Sequence, residues 1–173
     1  IMTVKNKPLQ LKGRVYIVPE PDVDTDMIFH NRYLHITDPA EMGQWIFGNL
    51  PQHVDFPKVI KDGDILIVGH NFGCGSSRQQ AVDGFIALGV SAIIGKSFGA
   101  IYKRNTINAG LPLIECAAIL NSGLKTGDVI DIDLETGKIT NQDGNVVADG
   151  SSLGAVQKDI YFADGLMQLA QKS

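Results

Sequence analysis

The sequence predicts an α/β fold in three layers, organised around a mainly parallel β-α-β-α-β segment in the middle third of the chain. Three observations carry this expectation. Asp64 to Val68 and Val90 to Ile94 are short continuous apolar runs, the pattern of strands buried on both faces. Two stretches of helical length follow them, Ser77 to Leu88 and Ala100 to Asn108, and Leu111 to Cys116 completes the alternation as a further strand. From Asp128 onward the pattern changes to short alternating strands, with turns at Thr136-Gly137 and Asp143-Gly144 that suit hairpins.

The remaining elements follow in order. Arg14 to Val18 is rich in β-branched and aromatic residues and is stopped by Pro19 and Pro21, so it reads as a strand. Pro39 to Phe47 reads as a helix, with Pro39 in its first turn and Met42, Trp45 and Ile46 on one face. A Gly-rich loop from Gly69 to Gly75 leaves the first buried strand and enters the Ser77–Leu88 helix, whose apolar stripe is Ala81, Phe85, Ile86 and Leu88. Tyr161 to Ala170 closes the chain as a helix. No repeat, low-complexity tract or linker interrupts residues 1–173, which read as one domain.

Composition narrows the function classes. A net charge of −4 gives no basic footprint for nucleic acid, although a single arginine can still bind a carboxylate. Only two cysteines, Cys74 and Cys116, occur, and they are far apart. They form no disulfide framework and supply too few thiolates for an iron–sulfur cluster, which takes about four ligands. No apolar run approaches the roughly 20 residues of a membrane span, and Ile1 to Leu11 has no apolar region of the signal-peptide kind. A cytoplasmic protein without membrane or nucleic-acid partners is the expectation.

The informative segment is Gly69-His-Asn-Phe-Gly-Cys-Gly-Ser-Ser-Arg78. At a strand-to-helix junction several backbone N–H groups lack partners, and Gly73 and Gly75 let the backbone curl and leave room for a ligand. Ser76 and Ser77 stand there beside the guanidinium of Arg78, a donor set suited to a carboxylate or phosphate. The same positive field favours the charged form of a serine. The letters equally fit a plain turn in which Ser76 or Ser77 is the helix N-cap. Three other motifs fail on the letters. A P-loop needs Gly-Lys-Ser/Thr, but the loop has no lysine; a dinucleotide fingerprint needs a glycine where Arg78 stands; and a nucleophile elbow needs one where Gln79 stands.

A second constellation, Asp22-Val-Asp-Thr-Asp-Met-Ile28, puts Asp22, Asp24 and Asp26 on one face if it is extended. It departs from a calcium loop at Met27 and Tyr33, which stand where glycine and glutamate are required. Either one of these carboxylates anchors Arg78 or a partner group, or the run is an acidic turn capping the next segment. His30, His35, His53 and His70 show no metal spacing; His53 reads as exposed and His70 as a satisfied loop residue. Lys103, Arg104, Asn105 and Asn108 read as a solvated helix face or as groups turned toward an anion.

These two motifs, in this order, resemble those of the small subunits of isopropylmalate isomerase and homoaconitase. The likeness extends to Ile93–Phe98 and to Arg104-Asn-Thr-Ile-Asn-Ala-Gly-Leu-Pro112, four blocks at matching separations. The resemblance implies an aconitase-type swivelling β/β/α domain and a large partner subunit carrying a [4Fe-4S] cluster, whose open iron acts as a Lewis acid. It implies that Ser76 is the alkoxide base and that Ser77 and Arg78 bind a substrate carboxylate, with Thr25, Asp26, Gly73 and Gly75 in support. The reaction implied is isomerisation of a hydroxydicarboxylate by dehydration and rehydration, foremost 2- to 3-isopropylmalate in leucine biosynthesis. Homoaconitate or dimethylmalate chemistry, or a non-catalytic anion-binding module, are the alternatives. Two departures stand out. Gln79-Gln80 replaces the family's usual Glu-His, and His35-Ile36 stands where members acting on tricarboxylates place an arginine, which suits an alkyl group.

Overall fold

The computed structural model describes residues 7–172; the part of the leader reading that falls on residues 1–6 lies outside them. The strands are β1 (Gln10–Val18), β2 (Ile65–Val68), β3 (Ala92–Gly95), β4 (Leu113–Glu115), β5 (Val129–Asp133), β6 (Lys138–Asn141) and β7 (Val146–Asp149). The helices are α1 (Thr25–Ile28), α2 (Pro39–Met42), α3 (Phe56–Val59), α4 (Gln80–Ala87), α5 (Ala100–Asn108), α6 (Ala155–Phe162) and α7 (Leu166–Gln171).

The strands form one sheet in the order β4-β3-β2-β1-β5-β6-β7. β1 is longer than the sequence suggests because it serves two partners. Its first half, Gln10 to Arg14, pairs antiparallel with β5, and its second half, Val15 to Val18, pairs parallel with β2. The parallel half is β1 to β4, and the antiparallel half is the meander β5 to β7. Every residue of β2 and β3 is buried, as their continuous apolar runs require. Alternate residues feed two cores on opposite faces. Leu66, Val68 and Ile93 join a cluster with Phe47, Phe56, Phe72 and Phe85, whereas Ile65, Ile67, Ala92 and Ile94 join one with Ile114, Cys116, Ile130 and Ile132. In the first core the rings meet edge to face, Phe47 lying 5.0 Å from Phe56 and 5.5 Å from Phe85.

Several sequence expectations are corrected. Pro39 to Phe47 is not one helix: α2 ends at Met42, a 3-10 turn covers Gly43–Trp45, and Phe47 lies at φ 60°. α4 begins at Gln80, not Ser77, so neither serine is its N-cap; the residue in that place is Gln79, which makes no side-chain cap. Its buried face is Ala81, Val82, Gly84 and Phe85, while Ile86 is 41% exposed. The closing helix is two, α6 and α7, broken where Asp164 and Gly165 take positive φ. His53 is not exposed but 8% accessible, with Nδ1 2.9 Å from the Tyr16 hydroxyl and Nε2 2.9 Å from the Glu20 carboxylate.

The fold presses α5 onto the Gly-rich loop. Tyr102 is buried, donates its hydroxyl to Ala81 O at 2.9 Å, and lays its ring against Gly73, where a Cβ would come within 2.2 Å of it. Gly73 also sits at φ +77°, a conformation that strains any other residue. Gly73→Ala is therefore expected to cost about 2–5 kcal/mol, from the left-handed backbone and the overpacking together, a fall in Tm of roughly 5–15 °C. The comparison is Gly144→Ala, which shares a φ of +81° but meets nothing within 4 Å. Equal losses in the two variants, measured by thermal unfolding, would contradict the packing argument.

Candidate active site

Three segments build the site: residues 22–36 after β1, the loop 69–79 between β2 and α4, and one face of α5. Each aspartate of the first segment has its own task instead of sharing one extended face. Asp22, at φ 56°, accepts from Asn71 Nδ2 at 2.9 Å. Asp24 is the N-cap of α1, accepting from the Met27 N–H at 2.9 Å, and pairs in a parallel bridge with Cys74. Asp26 accepts from Arg78 Nη1 at 3.0 Å, from the Asn31 N–H at 2.9 Å and from Asn49 Nδ2 at 3.2 Å. Asp26 thus bonds Arg78, while Asp24 caps the next segment.

Arg78 is the pivot. Its Nη1 also donates to Phe29 O at 2.7 Å, so one nitrogen secures both a carboxylate and a carbonyl of the 22–36 segment. Its side chain is only 12% exposed. Among the described residues Nε and Nη2 have no protein acceptor, so they stay available to an anion. The guanidinium hydrogen bond holds the Asp26 carboxyl below its ordinary value, helped by the Asn31 N–H and opposed by partial burial.

The serines lie in the open part of the loop. Thr25 Oγ1 donates to the Ser76 carbonyl at 3.0 Å, and the Thr25 N–H donates to Cys74 O at 3.0 Å, stitching the two segments together. Ser76 is exposed, and its hydroxyl has no protein partner among the described residues. Nor do the backbone N–H groups from Gly75 to Gln80 find one, the arrangement that receives anions. Ser77 Oγ accepts from Asn105 Nδ2 at 3.0 Å. Asn105 is the site residue that the sequence reading left unresolved; only its place on the α5 face turned to the loop could have singled it out.

The rest of the loop is anchorage. Phe72 is fully buried, 5.6 Å from Tyr102, and Asn71, at φ 56°, donates its N–H to Ser97 Oγ at 2.7 Å. Ser97 Oγ also lies 2.7 Å from His70 Nδ1, which makes His70 a satisfied loop residue. Burial, then Asp24 and Asp22, push the Cys74 thiol up, so it stays protonated at neutral pH.

The two glutamines have separate roles. Gln79 Nε2 donates to Asp83 at 3.0 Å along α4. Gln80 Nε2 donates to Leu34 O at 3.3 Å, tying down the 33–36 loop. Within that loop His35 is exposed, whereas Ile36 packs against the first core together with Tyr33 and Trp45, whose rings stack at 4.2 Å. Arg32 is engaged with His30, its Nε 3.3 Å from Nδ1.

Among the described residues no three His, Cys, Asp or Glu side chains converge as metal ligands would. Cys74 and Cys116 are free thiols, Cys116 in the core on the opposite sheet face from the Gly-rich loop's Phe72. This chain's own residues do not fit the ligation of an iron–sulfur cluster. Among the described residues no helix is long and apolar enough to cross a membrane.

Comparison with known proteins matches residues 47–118 to the family model described as the aconitase C-terminal domain. The isopropylmalate/citramalate isomerase small subunit of Methanocaldococcus jannaschii is 43% identical over 94% of each chain. The methanogen homoaconitase small subunit of the same organism is 38% identical over 94% of this chain and 92% of its own. The crystal structure of 3-isopropylmalate dehydratase from M. jannaschii superposes with a TM-score of 0.84, at 36% identity over 94% of each chain.

The Asp26–Arg78 pair yields a pH prediction. A carboxyl depressed in the folded state contributes stability that is present above its ordinary value of 3.8 and is lost as pH falls through the lower folded value. Asp26 is 41% exposed, so the pair is worth only about 0.2–1 kcal/mol, or roughly 1–4 °C in Tm. Asp26→Asn is expected to lower the Tm by that amount at pH 7. The gap to wild type should close as pH drops below about 4. A gap constant from pH 7 to pH 2 would show that the carboxylate charge contributes nothing.

Proposed function

The chain belongs to the 3-isopropylmalate dehydratase small-subunit family, with an aconitase-type fold, and on that premise we propose that it supplies the proton-transfer and carboxylate-binding half of a two-chain hydro-lyase. The reaction is the isomerisation of 2- to 3-isopropylmalate, the step of leucine biosynthesis that its relatives' names support. The whole chain, 1–173, acts as one swivelling domain against a large subunit, and a cytoplasmic location goes with this reading. The iron–sulfur cluster is assigned to that large subunit, as the resemblance to aconitase-type small subunits implies. Every step assigned to this chain takes place at its own atoms.

One observation carries the assignment. Among the described residues Ser76 has its carbonyl pinned by Thr25 and its hydroxyl left free, beside unpaired N–H groups and a guanidinium held by Asp26. A substrate carboxylate is received by Ser77, by the open edge of Arg78 and by the loop N–H groups. Ser76 Oγ, as the alkoxide favoured by that positive surrounding, takes the proton from carbon while hydroxide leaves the neighbouring carbon. Hydroxide then adds to the carbon that lost the proton and Ser76 returns its proton to the carbon that lost hydroxide, so hydroxyl and hydrogen have exchanged places and the alkoxide is regenerated. The loop at His35 faces the variable end of the substrate. At the place where members acting on tricarboxylates carry an arginine it presents the exposed imidazole of His35, and this favours an alkyl group over a further carboxylate.

The test is Ser76→Ala in the complex reconstituted with a cluster-loaded large subunit. Because Ser76 caps no helix, stability should hold within about 0.5 kcal/mol of wild type, while kcat falls by roughly 10²-fold or more. Near wild-type kcat in an intact complex would move the base to another residue.

A further inference from the structure

The face of α5 that meets the Gly-rich loop is built at regular intervals. Gly99 lies so close that a Cβ there would come within 2.9 Å of Gly73 O and 3.0 Å of the Cys74 Cα. One turn on, Tyr102 covers Gly73 and bonds Ala81 O. A further turn on, Asn105 reaches Ser77. The spacing of three residues keeps all of them on one side of the helix, so α5 backs the loop from its glycines to its serines.

The direction of the last contact has a chemical consequence. Asn105 Nδ2 donates to Ser77 Oγ at 3.0 Å and so occupies a lone pair of that oxygen. A hydroxyl has one proton; with its oxygen already accepting from Asn105, the O–H is directed away from that amide and left to another acceptor. The neighbouring amides do not compete for this role, because Gln79 is bonded to Asp83 and Gln80 to Leu34 O. We propose that Asn105 is a positioning residue for the reaction: it polarises Ser77 into a dedicated donor, pre-aimed at the substrate carboxylate. This rests on the reading of Ser77 as a carboxylate-binding residue. Pre-orientation of a donor strengthens binding without entering the proton-transfer step, so its signature is in KM and not in kcat.

The test uses the reconstituted two-subunit complex and isopropylmalate as the probe. Asn105→Asp is nearly isosteric but replaces the N–H donor by an acceptor, which draws the Ser77 proton back toward α5. It is expected to raise KM about 10- to 100-fold with kcat within about threefold, since the hydrogen bond lost is one to a charged group. Asn105→Ala frees the hydroxyl to rotate and is expected to raise KM less, by about three- to tenfold. In a Ser77→Ala background, Asn105→Asp should add less than about threefold, because nothing is left for it to orient. The same factor in both backgrounds would mean that the added charge acts directly on the substrate, and would overturn the proposal. Equal effects of Asp and Ala at 105, or none, would overturn it too. If Ser77→Ala alone leaves KM unchanged, the carboxylate-binding reading of Ser77 itself falls. A raised KM in Ser77→Ala without coupling to Asn105 removes only the positioning role.

Discussion

Arg78 closes a gap of 52 residues with a single nitrogen, bonding the Asp26 side chain and the Phe29 carbonyl at once. The same two segments are also held by Asn71 to Asp22 and by the Gly73 N–H to Val23 O, and alongside these contacts Thr25 takes the Ser76 carbonyl and Asp24 pairs with Cys74. A guanidinium suits this position because it spreads several donors over a rigid plane: part of it serves the scaffold while the rest faces outward. A lysine would offer one point charge and no second edge.

Behind this pivot, the fold supplies rigidity from two directions. Phe72 drives the loop into the first core, and α5 presses on its glycines through Tyr102. The open conformations are confined to Gly73, Gly75 and Asn71, at positive φ, where the backbone leaves β2 and turns toward α4. The sheet itself is divided at β1, whose two halves pair in opposite senses. The site sits wholly on the parallel side, outside the carboxyl ends of β2 and β3, where loops of α/β sheets gather ligands. The meander β5 to β7 and the second core have no part in it except to hold β1 from the other flank.

Much of this was legible in the letters, for identifiable reasons. β2, β3 and α5 follow from pure apolar runs and from a helix bounded by Gly99 and an Asn-Ala-Gly stop, signals that tertiary context had no cause to override. The Gly-Ser-Ser-Arg and Asp-x-Asp-Thr-Asp motifs were legible as partners, but not which aspartate does what, because that depends on a left-handed residue at Asp22 and a one-turn helix at Thr25. Serine is a strong N-cap signal, so the letters place the start of α4 too early; the loop stays open for a few residues more and the helix begins uncapped. His53 reads as exposed in the letters because its partners, Tyr16 and Glu20, lie more than thirty residues away in sequence. Asn105 was visible only as one polar residue on a helix, since its meaning comes from packing against a loop 28 residues upstream.

The arrangement leaves its chemistry on one side. Among the described residues the free Ser76 hydroxyl and the unpaired N–H groups lie together in the exposed stretch from Gly75 to Ser77. The proposed function makes this chain one half of a site. The most direct measurement is anaerobic turnover of isopropylmalate by the chain alone, by a cluster-loaded large subunit of its family alone, and by their equimolar mixture. The account predicts turnover by the mixture and by neither component. Turnover by the isolated chain would contradict it.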